Sequence, residues 1–338
     1  MKARFTPKTV FPTEIDSMLD RAIALLRAGE VIGVPTETVY GLAADATNPA
    51  AVAKLIEQKK RGSFHPISVL CASAQMAFDL GNDVPESALR LAARFWPGPL
   101  TMIVRRGPGK IPDLLTAGQP FVGVRVPDHP LTLALLERFA SPLAAPSANR
   151  SGHISPTTAA AVRREFGEEI ALLIDGGPCR VGLESTVISF ASPRPVLLRQ
   201  GGIPQELLEA EIGPIDPAID PNRSRSASDR PPRRYLLRTP LVLVRGLEEI
   251  PASERKKAGL LAWGPCPTDF AICRSLSPSY RLEEAATKLF GLLRELQESG
   301  VDRIFALLLP EQGLGRAINE RLRKGAAGSN FWEECRGD

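Results

Sequence analysis

Two threonines, a carboxylate and a tyrosine fall within five residues in Pro35-Thr36-Glu37-Thr38-Val39-Tyr40-Gly41. Lys59-Lys60-Arg61 follows, and Pro146-Ser147-Ala148-Asn149 lies much later. Hydroxyls at turns and cations of fixed reach suit a phosphate-bearing anion: Arg grips two oxygens at once, while Lys supplies a point charge. Each residue also has a plainer reading. Thr36 and Thr38 can close an ST-turn, and Ser147 and Asn149 can be turn formers ahead of Ser151-Gly152. Lys59 and Arg61 can complement the dipole at a helix C-terminus. Ser155, before Pro156, reads as a helix N-cap, and such a hydroxyl beside free N–H groups is also a phosphate cradle.

Two arginines stand where charge is costly. Arg125 interrupts Val122-Gly123-Val124-Arg125-Val126, so it faces solvent at a sheet edge, binds an anion or pairs with Asp128. Arg199 ends Val196-Leu197-Leu198 beside Gly201-Gly202 and poses the same question. Gly182-Leu183-Glu184-Ser185-Thr186 enters a strand, where its hydroxyls need be no more than strand residues. There is no P-loop, and Gly313-Leu314-Gly315 reads as a loop and helix cap rather than a dinucleotide site. His65, His129 and His153 form no Ser-His-acid triad. Cys71, Cys179, Cys266, Cys273 and Cys335 form no C-x-x-C pair, so reduced thiols rather than a structural zinc are expected.

These groups need a scaffold. A chain of 338 residues exceeds the growth of a single core, so two domains are expected. A hydrophobic content of 43% with 24% charged residues is that of a globular protein, and the net charge of +4 does not single out nucleic acid. No apolar run is long enough for a membrane span and the start lacks a signal-peptide core, so a soluble, cytoplasmic protein is expected. Thr13 and Asp16 suggest a capping box for a helix carrying Ile15, Leu19, Ile23 and Leu26 up to Gly29. The strand 31–34 then delivers 35–41 to its C-terminal end, where open α/β sheets place ligands. Asn48 and Pro49 open a helix over 49–60. Strands are expected at 66–70, 100–105, 121–126, 171–175, 186–190 and 196–199, and helices at 87–95, 130–139 and from Ser155 towards Gly167. From Asp216 to about Arg234 apolar residues almost vanish, so this stretch is a linker or loop, and its five arginines can touch phosphates or simply be solvated. Beyond it, strands at 241–244, 259–263 and 304–309 alternate with helices at 283–298 and 315–324, the pattern of a small parallel α/β domain.

Taken in order, these segments, with Trp96-Pro97-Gly98-Pro99 and Val124-Arg125-Val126-Pro127-Asp128-His129-Pro130, resemble the YrdC/Sua5 family of threonylcarbamoyl-AMP synthases from about residue 13 to 205. The tail, through Gly313-Leu314-Gly315-Arg316-Ala317-Ile318-Asn319-Glu320-Arg321-Leu322, is similar to that of the longer, Sua5-type members. The resemblance implies an α/β fold. Residues 1–212 would form a YrdC-like twisted mixed sheet with helices and a concave basic ligand cavity. Residues 213–239 would be a linker able to act as an active-site lid, and 240–338 a small Rossmann-like parallel domain.

The implied reaction turns L-threonine, bicarbonate and ATP into threonylcarbamoyl-AMP and pyrophosphate, with Mg²⁺ on the phosphates. The product is handed to a separate threonylcarbamoyl transferase machinery that modifies adenosine 37 of tRNA, so tRNA is an indirect partner. By position, Lys59, Arg61, His65, Ala145, Ser147, Asn149, Ser155, Arg199 and Tyr235 match the ATP side. Thr38, Arg125 and Ser185 match the threonine side, and metal ligands are not assigned. Lys59 and Arg61, with Arg199 and the metal, would be the cations of the phosphoryl displacement. His65 stands where the family commonly has Asn, Leu70 where it has His, and Phe121 where Thr is frequent, while only Tyr235 keeps its place in the linker. A structured-RNA-binding module and carbamoylation of a different amine are the alternatives.

Overall fold

The computed structural model describes residues 12–59, 66–217 and 235–334. Ile32–Val34 (β1) and Gly41–Asp45 (β2) pair antiparallel, with Ile32 opposite Ala43 and Val34 opposite Gly41. Residues 35–40 are therefore the turn joining two neighbouring antiparallel strands, while β1 pairs in parallel with Leu172–Leu173 on its other side. Val69–Leu70 (β3), Leu100–Arg105 (β4), Phe121–Arg125 (β5), Leu143–Ala144 (β6), Leu172–Leu173 (β7), Thr186–Ser189 (β8), Val196–Arg199 (β9) and Asp216–Pro217 (β10) complete the sheet. Among the described residues it has ten strands in the order β10-β9-β8-β4-β5-β3-β6-β2-β1-β7, and its pairings are mixed.

Alternation along the strands dresses both faces. Leu42, Ala44 and Val69 point to a core closed by Val52 and Leu55 of the helix Pro49–Gln58. Ala43 and Leu70 point the other way, to Leu19, Ile23 and Leu26 of the helix Pro12–Arg27 and Leu135 and Leu136 of the helix Pro130–Phe139. Each fully buried leucine contributes about 2 kcal/mol of transfer free energy, which fixes the register. Asn48 caps the helix Pro49–Gln58 as expected, its Oδ1 accepting from the amides of Ala50 at 3.0 Å and Ala51 at 3.3 Å.

The second sheet comprises Leu241–Val244 (β11), Ala258–Ala262 (β12), Ile272–Ser275 (β13) and Arg303–Leu307 (β14) in the order β11-β14-β12-β13, with every pairing parallel. The helices Leu282–Glu298 and Leu314–Glu334 pack on it. That core does not stop at the second unit. Val39 and Leu183 of the first unit belong to it, alongside Leu289 and Phe290. Gly182 allows the approach: its φ is +73°, and a Cβ there would stand 2.4 Å from Thr287 Cα.

Several expectations fail for local reasons. Thr13 lies inside the first helix, which already runs from Pro12, so it is not the cap. The helix expected from Ser155 begins at Ala159, because Thr158 takes the cap, its Oγ1 accepting from Ala161 N at 3.2 Å. Cys266 and Cys273 are joined in a disulfide, which overturns the expectation of reduced thiols throughout. Cys266 lies in the β12–β13 connection and Cys273 in β13, with their Cα atoms 5.8 Å apart, closeness that a spacing of seven residues does not advertise. Cys71 and Cys179 are free and buried, and burial pushes both thiols up to about 12. No described helix is long and apolar enough to cross a membrane.

Candidate active site

A cavity of about 140 Å³ opens where the 35–40 turn, β4, β5, β8 and β9 converge with the segment after β6. The turn presents two hydroxyls. Thr36 Oγ1 donates to Val39 O at 2.6 Å and accepts from the amides of Thr38 at 3.2 Å and Val39 at 3.3 Å, the ST-turn foreseen as the plain reading. Because the single Thr36 proton is spent on Val39 O, the 2.8 Å contact between the two hydroxyls is donated by Thr38. Thr38 Oγ1 thus offers the cavity lone pairs, which suit an N–H donor.

Arg125, at the end of β5, is 6% exposed and Glu37 is 1% exposed. Arg125 Nε donates to Gly98 O at 3.1 Å, and its Nη2 stands 2.7 Å from Glu37 Oε1. This is an ion pair by distance, yet its angles make no hydrogen bond, and neither Glu37 oxygen has a hydrogen-bond partner. Asp128, the partner considered from the sequence, instead pairs with Arg180.

Also lining the cavity, Ser185 Oγ lies 2.7 Å from Thr101 Oγ1 and accepts from Arg199 Nη2 at 2.9 Å. Arg199 Nε also donates to Ser185 O at 2.9 Å. Gly201 makes that contact tight, since a Cβ there would lie 2.3 Å from the Ser185 carbonyl carbon.

Lys59 caps the helix Pro49–Gln58 and is only 3% exposed. Its Nζ donates to Ser147 O at 2.5 Å and Asn149 O at 2.7 Å, so its ammonium ties down the turn that follows β6. Asn149 Nδ2 donates to the carbonyls of Arg150 and His153, while its buried Oδ1 has no partner. Ala145 lines the cavity and its amide donates to Ser68 O at 2.9 Å.

Ser155 does not cap a helix. Its Oγ donates to Glu184 Oε1 at 2.8 Å, and the Tyr235 hydroxyl donates to the same oxygen at 3.1 Å. Arg321, from the helix Leu314–Glu334, donates through Nε to Glu184 Oε2 at 3.0 Å. Burial alone would raise the Glu184 carboxyl, but the charges of Arg321 and Arg199 and the Ser155 hydrogen bond hold it at about 2. Burial, then the Glu184 charge, push the Tyr235 phenol well above its ordinary value, so it remains a donor.

Thr38, Arg125, Ala145, Ser147, Ser185 and Arg199 therefore line one cavity, with Lys59 and Ser155 bonded directly to its lining residues. Arg61 and His65 lie outside the described residues, as do the five arginines of 223–234. Leu70 lines the cavity, whereas Phe121 starts β5 four residues before Arg125. His129 precedes the helix Pro130–Phe139, where burial lowers its basicity. Sequence reasoning assigned no ligand-binding role to Thr36, Glu37, Thr101, Glu184 or Arg321. Thr101 carried a signal, a hydroxyl between Leu100 and Met102 in an apolar strand, but Arg321 carried none that reached residue 184. Among the described residues, no group of three or more His, Cys, Asp or Glu could hold a metal ion.

A family model described as "Telomere recombination" matches residues 24–201, and one described as "Threonylcarbamoyl-AMP synthase, C-terminal domain" matches 205–327. The threonylcarbamoyl-AMP synthase of Bacillus subtilis is 41% identical over 328 residues, covering 93% of this chain and 94% of its own. That of Pyrococcus abyssi is 39% identical over 319 residues, covering 90% and 92%. The crystal structure of P. abyssi Sua5 complexed with L-threonine superposes with a TM-score of 0.82 at 36% identity, covering 92% of this chain and 94% of that one. With both parts matched in order and the relatives covered almost end to end, this chain belongs to the Sua5-type threonylcarbamoyl-AMP synthase family of enzymes.

Proposed function

We propose that the cavity joins L-threonine, bicarbonate and ATP into threonylcarbamoyl-AMP, releasing pyrophosphate, as a nucleotidyltransferase. The observation that carries this reading is the buried Arg125 lining one small cavity together with Thr38 and Ser185, a set that complements an amino acid. Arg125 suits the α-carboxylate, and the lone pairs of Thr38 suit an N–H donor. The threonine amine adds to bicarbonate with loss of water, giving a carbamate. A carbamate oxygen then attacks the α-phosphorus of ATP, and the bond to the β,γ-pyrophosphate breaks. Such a displacement needs alignment and charge neutralisation more than a strong base.

On the nucleotide side we assign Lys59, Ser147, Asn149, Ser155 and Arg199, with the Ala145 backbone, and Arg61 and His65 from beyond the described residues. Lys59 acts by holding the Ser147–Asn149 backbone in shape. The nearby carboxylates fit poorly as metal ligands, since Glu37 faces Arg125 and Glu184 is taken by Arg321. Mg²⁺ would thus arrive on the phosphates of ATP and neutralise their charge. Tyr235 would meet the nucleotide from the Glu184 wall, and the reactive product would pass to a separate transferase that modifies tRNA, in the cytoplasm.

The test is incubation of the full chain with ATP, labelled bicarbonate, Mg²⁺ and L-threonine. Threonine-dependent pyrophosphate together with a labelled adenylate is expected, and their absence rejects the reading. Leu70 in the cavity wall favours a second reading, carbamoylation of another amine. Faster turnover with serine or another amino acid than with threonine would establish it.

A further inference from the structure

The helix Leu314–Glu334 of the second unit reaches the residues that line the cavity. Arg321 is 2% exposed, and besides holding Glu184 its Nη1 donates to Gln200 O at 2.5 Å. Its neighbour Glu320 accepts from Gln200 N at 3.2 Å through Oε2. Both backbone polar groups of Gln200 are thus held by two consecutive residues of the helix Leu314–Glu334. Gln200 directly follows Arg199, whose guanidinium fixes Ser185. The same helix reaches Ser155 through Glu184. Val39 and Leu183, next to Thr38 and Glu184, are packed in the core of the second unit.

We propose that Glu320 and Arg321 are positioning residues for the cavity, setting Arg199 and Ser185 through the Gln200 backbone and Ser155 through Glu184. The second unit is then a working part of the substrate site. A buried ion pair seldom stabilises more than a well-packed apolar pair would, so the use of this one lies in geometry. The guanidinium is suited to it, because its rigid fork holds a carboxylate and a carbonyl at fixed relative positions, whereas an ammonium on a flexible stem gathers acceptors around a single point. The electrostatics agree: Arg321 is the largest favourable influence keeping Glu184 ionised, so that it accepts from both Ser155 and Tyr235.

This inference rests on the synthase reading, and the experiment separates the two. In the full chain, Arg321→Lys keeps the charge but loses the fork. We expect at least a tenfold rise in KM for ATP and threonine, with kcat within threefold of wild type. A merely structural role would instead lower the fraction of active molecules, reducing apparent kcat at unchanged KM. The pair Glu184→Gln and Arg321→Met provides the second arm. Because Arg321 acts partly through Glu184, the KM rise of the double variant is expected to fall short of the product of the two single rises, with the Gln200 contact accounting for what Arg321→Met still adds. Active wild type with Arg321→Lys KM values within twofold of wild type overturns the positioning role, as does full additivity in the double variant. Inactive wild type overturns the synthase reading itself.

Discussion

Replacing Arg125 by lysine separates what this residue does for the fold from what it does for a ligand. The substitution keeps a cation opposite Glu37, which is 1% exposed and otherwise without a hydrogen bond, so the buried carboxylate retains its counter-charge. It loses the Nε bond to Gly98 O and the two-pronged grip on a carboxylate. One charge-assisted hydrogen bond is worth about 2 kcal/mol, so threonine should bind about thirtyfold more weakly. Arg125→Met removes the counter-charge altogether and should cost about 3–5 kcal/mol of stability, the usual penalty for stranding one member of a buried pair. The assays are calorimetric titration with L-threonine, and urea unfolding of both variants. If Arg125→Lys binds threonine within twofold of wild type, the carboxylate assignment fails. If Arg125→Met is as stable as wild type, the ion pair does not have the role given to it here.

Thr38→Val removes the hydroxyl whose lone pairs face the cavity and should weaken threonine binding by about 1 kcal/mol, roughly fivefold; unchanged affinity by titration would refute the hydrogen-bond assignment. Glu184 sits below its ordinary value of 4.5, so its contribution to stability is complete above about pH 4.5 and is lost as pH falls towards about 2. The stability gap between wild type and Glu184→Gln should therefore be flat from pH 6 to 8 and close on acidification, and guanidinium unfolding that shows the same gap at pH 3 would contradict this. Gly182→Ala places a Cβ against the Thr287 backbone at a positive φ, and the strain should cost at least about 1–3 kcal/mol of stability. Wild-type unfolding and activity in that variant would show that the approach of the two units can yield.

What the sequence disclosed followed how far each signal had to travel. The cap at Asn48 and the strand Leu100–Arg105 are written in adjacent residues, and both were legible. Gly41–Asp45 was not, because Gly-Leu-Ala-Ala-Asp lacks β-branched and aromatic side chains. It is a strand because Ile32–Val34 and Leu143–Ala144 flank it on either side. Ser155 misled for a related reason: it has the chemistry of a cap, but Thr158 is better placed, which leaves its hydroxyl for Glu184. In the candidate site, Arg125 and Arg199 stood out as charges in apolar runs, whereas Thr38 and Ser185 were assigned through the family resemblance, and all four line the cavity. Glu184 and Arg321 are 137 positions apart, and no local pattern couples them.

The pairing of Glu184 with Arg321 also has a consequence for synthesis. Translation is vectorial, and early domains generally begin to fold before later ones exist. A nascent first unit would hold Glu184 with Arg199 and Ser155 but without Arg321, its largest counter-charge. The wall around Glu184 is therefore complete only once the ribosome has passed codon 321 and the helix Leu314–Glu334 has docked.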